Sequence, residues 1–143
     1  MAYWLYKNEP NVWCWDDHVK TGDAGHPPKR SRNMPANKNM KDMALGDLGF
    51  FYHTAREKSI VGLVKLVREY YPDPEDESGR FGLVDVTALK ALPKPVSLAE
   101  VKADPRLENM VLVKNSRLAM QPVREEEWNL ICDMGGLDPQ DLG

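Results

Sequence analysis

Residues 46–67 constrain the fold more than any other part of the chain. Two β-prone runs, GDLGFFYHT at 46–54 and SIVGLVKLV at 59–67, flank a polar connection at 55–58, the pattern of a β-hairpin. The second run is apolar at Ile60, Val61, Leu63, Val64, Leu66 and Val67. It is therefore expected to be covered on both faces, as in a barrel or in a sheet beneath a helix.

The remaining elements are read around this hairpin. YWLYK at 3–7 has strand character and is ended by Glu9-Pro10, because proline donates nothing to a ladder and restrains its predecessor. Lys7, Asn8 and Glu9 then sit at a strand end, open to solvent or to a cleft. Trp13 and Trp15 follow; they can be core or can stack on a flat ligand. Residues 16–20 form a helical turn, and TGDAGHPP at 21–28 a loop. Ser31 or Asn33 caps a helix that carries Pro35 in its first turn and runs to Ala44, closed by Gly46. Met40, Met43 and Ala44 share its inner face, and Lys38 and Lys41 its outer one. Residues 80–92 give a further strand, ended by Pro93 and Pro95. SLAE at 97–100 is a capping box that starts a short helix stopping before Pro105. Residues 110–113 and 118–121 are expected as a last pair of strands. Pro122 opens the final helix, which Gly135-Gly136 ends and which presents Trp128, Ile131 and Cys132 to the core.

With 143 residues the chain fits one domain, residues 1–143, and a chain of this size buries roughly two thirds of its unfolded surface. Cys14 and Cys132 form neither a disulfide framework nor a zinc pattern, which suggests a reduced, cytoplasmic setting. No apolar run approaches the roughly 20 residues of a membrane helix, and the N-terminus lacks the order of a signal peptide. A monomer without membrane partner is expected. The net charge of −3 argues against coating nucleic acid by charge alone. Residues 24–41 nevertheless hold five Lys or Arg and no acid, enough for a few phosphate contacts or for an ordinary solvated loop.

Taken together, WLYKNEP at 4–10, GDLGFFYHT at 46–54, IVGLVKLVREYYPDP at 60–74, LVDV at 83–86, PVSLAEVKADPRLENM at 95–110 and SRLAMQPVREEEW at 116–128 resemble the EVE domain. That family has a PUA-like fold related to the YTH readers of methylated RNA. The resemblance covers essentially the whole chain. It implies an α+β fold, a mostly antiparallel β-barrel wrapped by short helices, with a cleft that accepts a modified base. It also implies a reader rather than a catalyst, with modified cytosine in DNA as ligand before modified RNA bases. A degenerate cleft serving protein interaction is the other reading. The departure lies at Pro28 to Lys38, where the family's Trp-(Asp or Thr)-Gly-Val-Arg-Asn-Tyr pattern lacks its Trp and Tyr, so the cleft here is more open, retuned or disabled.

A base reader needs π-faces for stacking, polar groups for the base edge and cations for phosphate. Trp13, Trp15 and Tyr52 are the stacking candidates, Asn8, Asn33 and Gln121 the edge readers, and Lys7, Arg32 and Arg117 the phosphate contacts, with Arg30 and Lys38 behind them. His53, at the end of the first hairpin strand, joins this set. The ordinary alternatives are a cap for Asn33, the core for Tyr52 and an acid partner for Arg117. Cys14 and His18 at i, i+4, with Asp16, Asp17, Asp47 and Asp85, are raw material for catalysis or a metal, but form no nucleophile, phosphate-loop or metal signature. No catalytic residue, metal or cofactor is assigned.

Overall fold

A computed structural model describes residues 2–28, 33–115 and 117–140. Strand β1 (Tyr3–Asn8) leads through helix α1 (Trp15–Val19) and helix α2 (Met34–Asp42) into the hairpin β2 (Leu48–His53) and β3 (Ser59–Pro72). Strand β4 (Gly82–Ser97) follows, then helices α3 (Leu98–Ala103) and α4 (Val111–Lys114), strand β5 (Met120–Val123) and helix α5 (Glu125–Met134). The strands lie in the order β4-β3-β2-β1-β5; β1 runs parallel to β2 and every other neighbouring pair is antiparallel.

Alternation along the strands divides the interior in two. Leu5, Phe50, Tyr52, Ile60 and Leu63 point to one face, where they meet Val101, Leu107, Met110, Leu112, Trp128 and Ile131 from the helices after β4. Trp4, Tyr6, Phe51, Val64 and Leu66 point to the other, covered by Ala36, Met40 and Met43 around α2 and flanked by Trp13 and Trp15. The double coverage expected of residues 59–67 holds for its first half. From Lys65 onward only Leu66 is buried, and residues 67–69 are exposed.

The expected α+β architecture is present, but the sheet is open rather than closed into a barrel. Closure would need β4 to pair with β5, and these lie at opposite ends. β5 is four residues long and holds Pro122, which has no N–H to offer. β4 has its own edge engaged by the loop before α2, where His26 and Val86 exchange backbone hydrogen bonds of 3.1 Å in both directions.

Four local expectations also change. Pro93 and Pro95 do not end β4; the pairing jumps from Gly62–Ala91 to Ile60–Val96, and both prolines fall in that bulge, where missing donors are tolerated. Residues 111–114, β-branched in sequence, are helical, because a single turn capped at Met110 lets Leu112 reach the core. Pro122 belongs to the edge strand β5, and α5 starts at Glu125, with Arg124 as its cap. Helix α2 ends at Asp42, so Gly46 (φ +89°) closes a separate turn. The Asn33 cap and the Ser97–Glu100 capping box are present as read.

Candidate nucleic-acid interface

β1 stops at Asn8 because Glu9-Pro10 turns the chain, and the Glu9 carbonyl accepts the N–H groups of Val12 and Trp13 at 2.9 Å. Cys14 then caps α1: its N–H and its thiol both donate to Asp17 Oδ2, at 3.1 and 3.3 Å. Those bonds hold the Asp17 carboxyl below its ordinary range. They also occupy Cys14, which reads as a cap rather than a nucleophile.

Two anchored indoles result. Trp13 Nε1–H donates to His18 Nδ1 at 2.9 Å, and His18 Nε2–H donates to the Val86 carbonyl at 2.7 Å. The Nε2–H tautomer of His18 is fixed by these two partners. His26 stacks on the Trp13 ring with centroids 4.2 Å apart and planes 16° from parallel. Gly25 (φ +79°) sets the turn that brings it there, at a place where a Cβ would strike Val67. Trp15 donates its backbone N–H to His53 Nε2 at 3.0 Å and lays its six-membered ring over Gly62, where a Cβ would come within 2.5 Å of it. With His53 Nε2 accepting, the proton lies on Nδ1, 3.1 Å from a Glu57 oxygen, an ion-pair distance but off the line of a hydrogen bond. Phe51 touches His18, Trp15 and His53 at 5.3 to 5.7 Å, so all three histidines of the chain belong to one aromatic cluster.

The sheet separates the candidate residues. Asn8, Trp13, Trp15 and His53 gather on the α2 face at the ends of β1 and β2, and the two indoles are half-buried. Asn8 is fully buried and donates to the Tyr6 carbonyl at 3.3 Å. Lys7 and Tyr52 lie on the opposite face, the ammonium 5.8 Å from the ring centre. Burial lowers the Lys7 pKa and raises that of Tyr52. The Tyr52 ring is packed in the core and presents no open face for stacking. Gln121 shares that side, wholly buried, donating to the Leu118 carbonyl at 2.7 Å; its Oε1 has no hydrogen-bond partner among the described residues. Asn33 Oδ1 accepts the Ala36 N–H at 3.0 Å as the cap of α2. Arg117 is exposed in the turn before β5. Lys29, Arg30 and Arg32 lie outside the described residues.

His18, read from the sequence only as catalytic or metal raw material beside Cys14, and His26, not singled out there, are additions to the base-binding set. The five-residue step from Trp13 to His18 across a helix start is a usable signal. Nothing local marks His26, whose partner Val86 comes from β4.

His18 makes the cluster sensitive to acid. Burial, ahead of the nearby His26, lowers its pKa below the ordinary value of 6.5. The unfolded chain therefore takes up this proton first, and the stability contributed by neutral His18 is present above about pH 6.5 and lost as pH falls toward the lowered folded value. Protonation at Nδ1 also removes the acceptor of Trp13. Urea unfolding should show stability falling below about pH 6.5 with a slope of at most about 1.4 kcal/mol per pH unit from this group. A His18→Gln variant should have a flatter profile; an unchanged profile would refute the assignment.

Comparison with known proteins places this geometry. The EVE domain family model matches residues 2–134. A crystal structure from Agrobacterium tumefaciens, protein Atu2648, is 42% identical and superposes with a TM-score of 0.92 over 97% of this chain and 96% of that one. Human THYN1, solved in complex with 5-methylcytosine-containing DNA, is 28% identical with a TM-score of 0.86, covering 97% of this chain and all (100%) of that one. The YTH domain of Zygosaccharomyces rouxii MRB1, solved with N6-methyladenosine RNA, shares the fold alone, at 16% identity and a TM-score of 0.59 over 99% of this chain and 91% of that one. An open mixed sheet with an indole pair anchored at the end of its parallel strands, and a family match over nearly the whole length, make this chain a member of the EVE domain family.

Proposed function

We propose that this protein is a non-catalytic reader of a modified nucleobase, with modified cytosine in DNA as its ligand in preference to RNA. The observation that carries the reading is the pair of half-buried indoles at the ends of β1 and β2: Trp13, whose ring N–H is bonded to His18, and Trp15, whose backbone N–H is bonded to His53 and whose ring lies over Gly62. Indoles fixed in this way lose little freedom when a base stacks on them. Support for the ligand class comes from the human relative solved with 5-methylcytosine-containing DNA. Arg117, exposed in the turn before β5, and Lys7, at the end of β1 on the other face of the sheet, serve as the more distant cations for phosphate, and Arg32 joins them by its position in the sequence. An extruded base costs a few kcal/mol to unstack, so single strands are the easier substrate.

The test is binding to single- and double-stranded oligonucleotides, DNA and RNA, with unmodified or modified cytosine and adenine at fixed low salt. Preference for 5-methylcytosine in DNA is expected. Trp13→Ala should weaken that binding by about 1–3 kcal/mol, the range for loss of one stacked base. A folded variant of unaltered affinity would remove Trp13 from the site. Absence of binding to every oligonucleotide would favour the protein-interaction reading, which the departure at Pro28 to Lys38 and the His26 ring already stacked on Trp13 both suit.

A further inference from the structure

Between α2 and α4 the surface opens into a groove of about 500 Å³, whose lining includes Lys38, Asn39 and Asp42 on one side and Asn109, Lys114 and Asn115 on the other. Two ammonium groups and three amides thus face one carboxylate. Neither lysine has a carboxylate within 4.0 Å among the described residues. Two of the amides are oriented by the fold: Asn39 Nδ2 donates to the Met120 carbonyl at 2.8 Å, and Asn115 Oδ1 accepts the Arg117 N–H at 3.3 Å. That leaves the carbonyl of Asn39 and the NH₂ of Asn115 for a ligand.

The groove is tied to the indole cluster by the backbone. Leaving Asn115, the chain passes Arg117 and reaches Ala119, whose carbonyl accepts the Lys7 N–H at 2.9 Å beside the end of β1. Five residues span at most roughly 17 Å, a reach of a few nucleotides. Unpaired cations at Lys114 and Lys38, with Arg117 between the groove and Lys7, lay out a path for a polyanion rather than a pocket for one small anion.

We propose that this groove holds the sugar–phosphate backbone of the DNA strand flanking the read base, with Lys38 and Lys114 each meeting one phosphate from opposite walls. The proposal rests on the reader function argued above and extends it to a second contact region. Asp42 is the one opposing charge in the lining and weakens the phosphate contact for every strand alike.

The experiment compares wild type with a Lys38→Gln/Lys114→Gln double variant. The probes are a long single-stranded DNA carrying one 5-methylcytosine, its unmodified counterpart, and a trinucleotide centred on the modified base, each titrated at several salt concentrations. Both lysines are exposed, so the fold should be kept, and circular dichroism checks it. The double variant should bind the long strand several-fold more weakly, with a salt slope smaller by about 1.4, two phosphates at about 0.7 each. Its preference for the modified base and its affinity for the trinucleotide should not change. An unaltered slope and affinity on the long strand, with the wild type still preferring 5-methylcytosine, would overturn the groove assignment alone. Equal binding of modified and unmodified strands by the wild type is the separate sign that the reader function is wrong. The groove assignment would then fall with it, because the read base sets where the flanking strand lies.

Discussion

Trp128→Ala is expected to lower the unfolding free energy by about 3–5 kcal/mol, the cost of emptying a large aromatic site in a core that relaxes only in part. The indole is buried and stacks on Phe50 at 4.2 Å and on Tyr3 at 4.7 Å, so α5 is fastened to β2 and β1 by one side chain. Cys132, one turn further on, has its thiol pushed up to about 12 by burial in the same apolar surroundings. Chemical denaturation monitored by circular dichroism would measure the loss. A change below about 1 kcal/mol, the scale of an ordinary surface substitution, would mean that this layer is not the packed core described here. Because Trp128 and the Trp13–Trp15 cluster lie on opposite faces of the sheet, the folded fraction of the variant should still bind its oligonucleotide with wild-type affinity.

Asp47→Ala should cost about 3 kcal/mol through hydrogen bonds rather than packing. The buried carboxylate accepts Trp4 Nε1–H and the Ala44 N–H at 3.0 Å each on one oxygen, and the Ala2 N–H at 3.2 Å on the other. Replacing it by a methyl group orphans a buried indole donor and releases the turn between α2 and β2 together with the start of β1. Bonds of about 1.5–3 kcal/mol to a charged group are not additive within one residue, so the sum is held to about 3 kcal/mol. Trp4→Phe, which removes one donor and the pyrrole half of the indole but keeps a benzene ring, should cost less than Asp47→Ala. The reverse order in a denaturation series would show that the ring, not the carboxylate, organises this corner.

The parts of the fold that the sequence makes legible are those decided by neighbours in the chain. Glu9-Pro10 ends β1, Asn33 caps α2 and Ser97 with Glu100 caps α3, each through contacts within a few residues. The errors share a different cause. Whether residues 111–114 form a strand or a helical turn depends on where Leu112 finds the core, and no local property of VLVK decides that. Pro122 suits a helix start as well as an edge strand, and only its position opposite Trp4 distinguishes the two. The candidate site was legible as composition but not as arrangement. Trp13, Trp15 and Asn8 lie near one another in sequence and stay together, whereas Lys7 and Tyr52 are sent to the other face by the two-residue period of the strand. His26 reaches Trp13 only because β4, some sixty residues away at Val86, receives its loop.

The treatment of the β4 edge bears on how copies of this protein behave towards one another. A strand of sixteen residues at the border of an open sheet is a template on which a foreign strand can extend the ladder, the usual first step of strand-mediated aggregation. Here the template is interrupted along its length. His26 takes the donor and acceptor of Val86, Pro93 and Pro95 supply no N–H, and the Lys94 N–H is bound to the Gly135 carbonyl at 3.0 Å. The open run between these blocks carries Lys90, whose charge would have to be desolvated by any incoming strand. The same loop that presses His26 against Trp13 therefore also protects the sheet from self-templating, and a change that frees the loop would expose both at once.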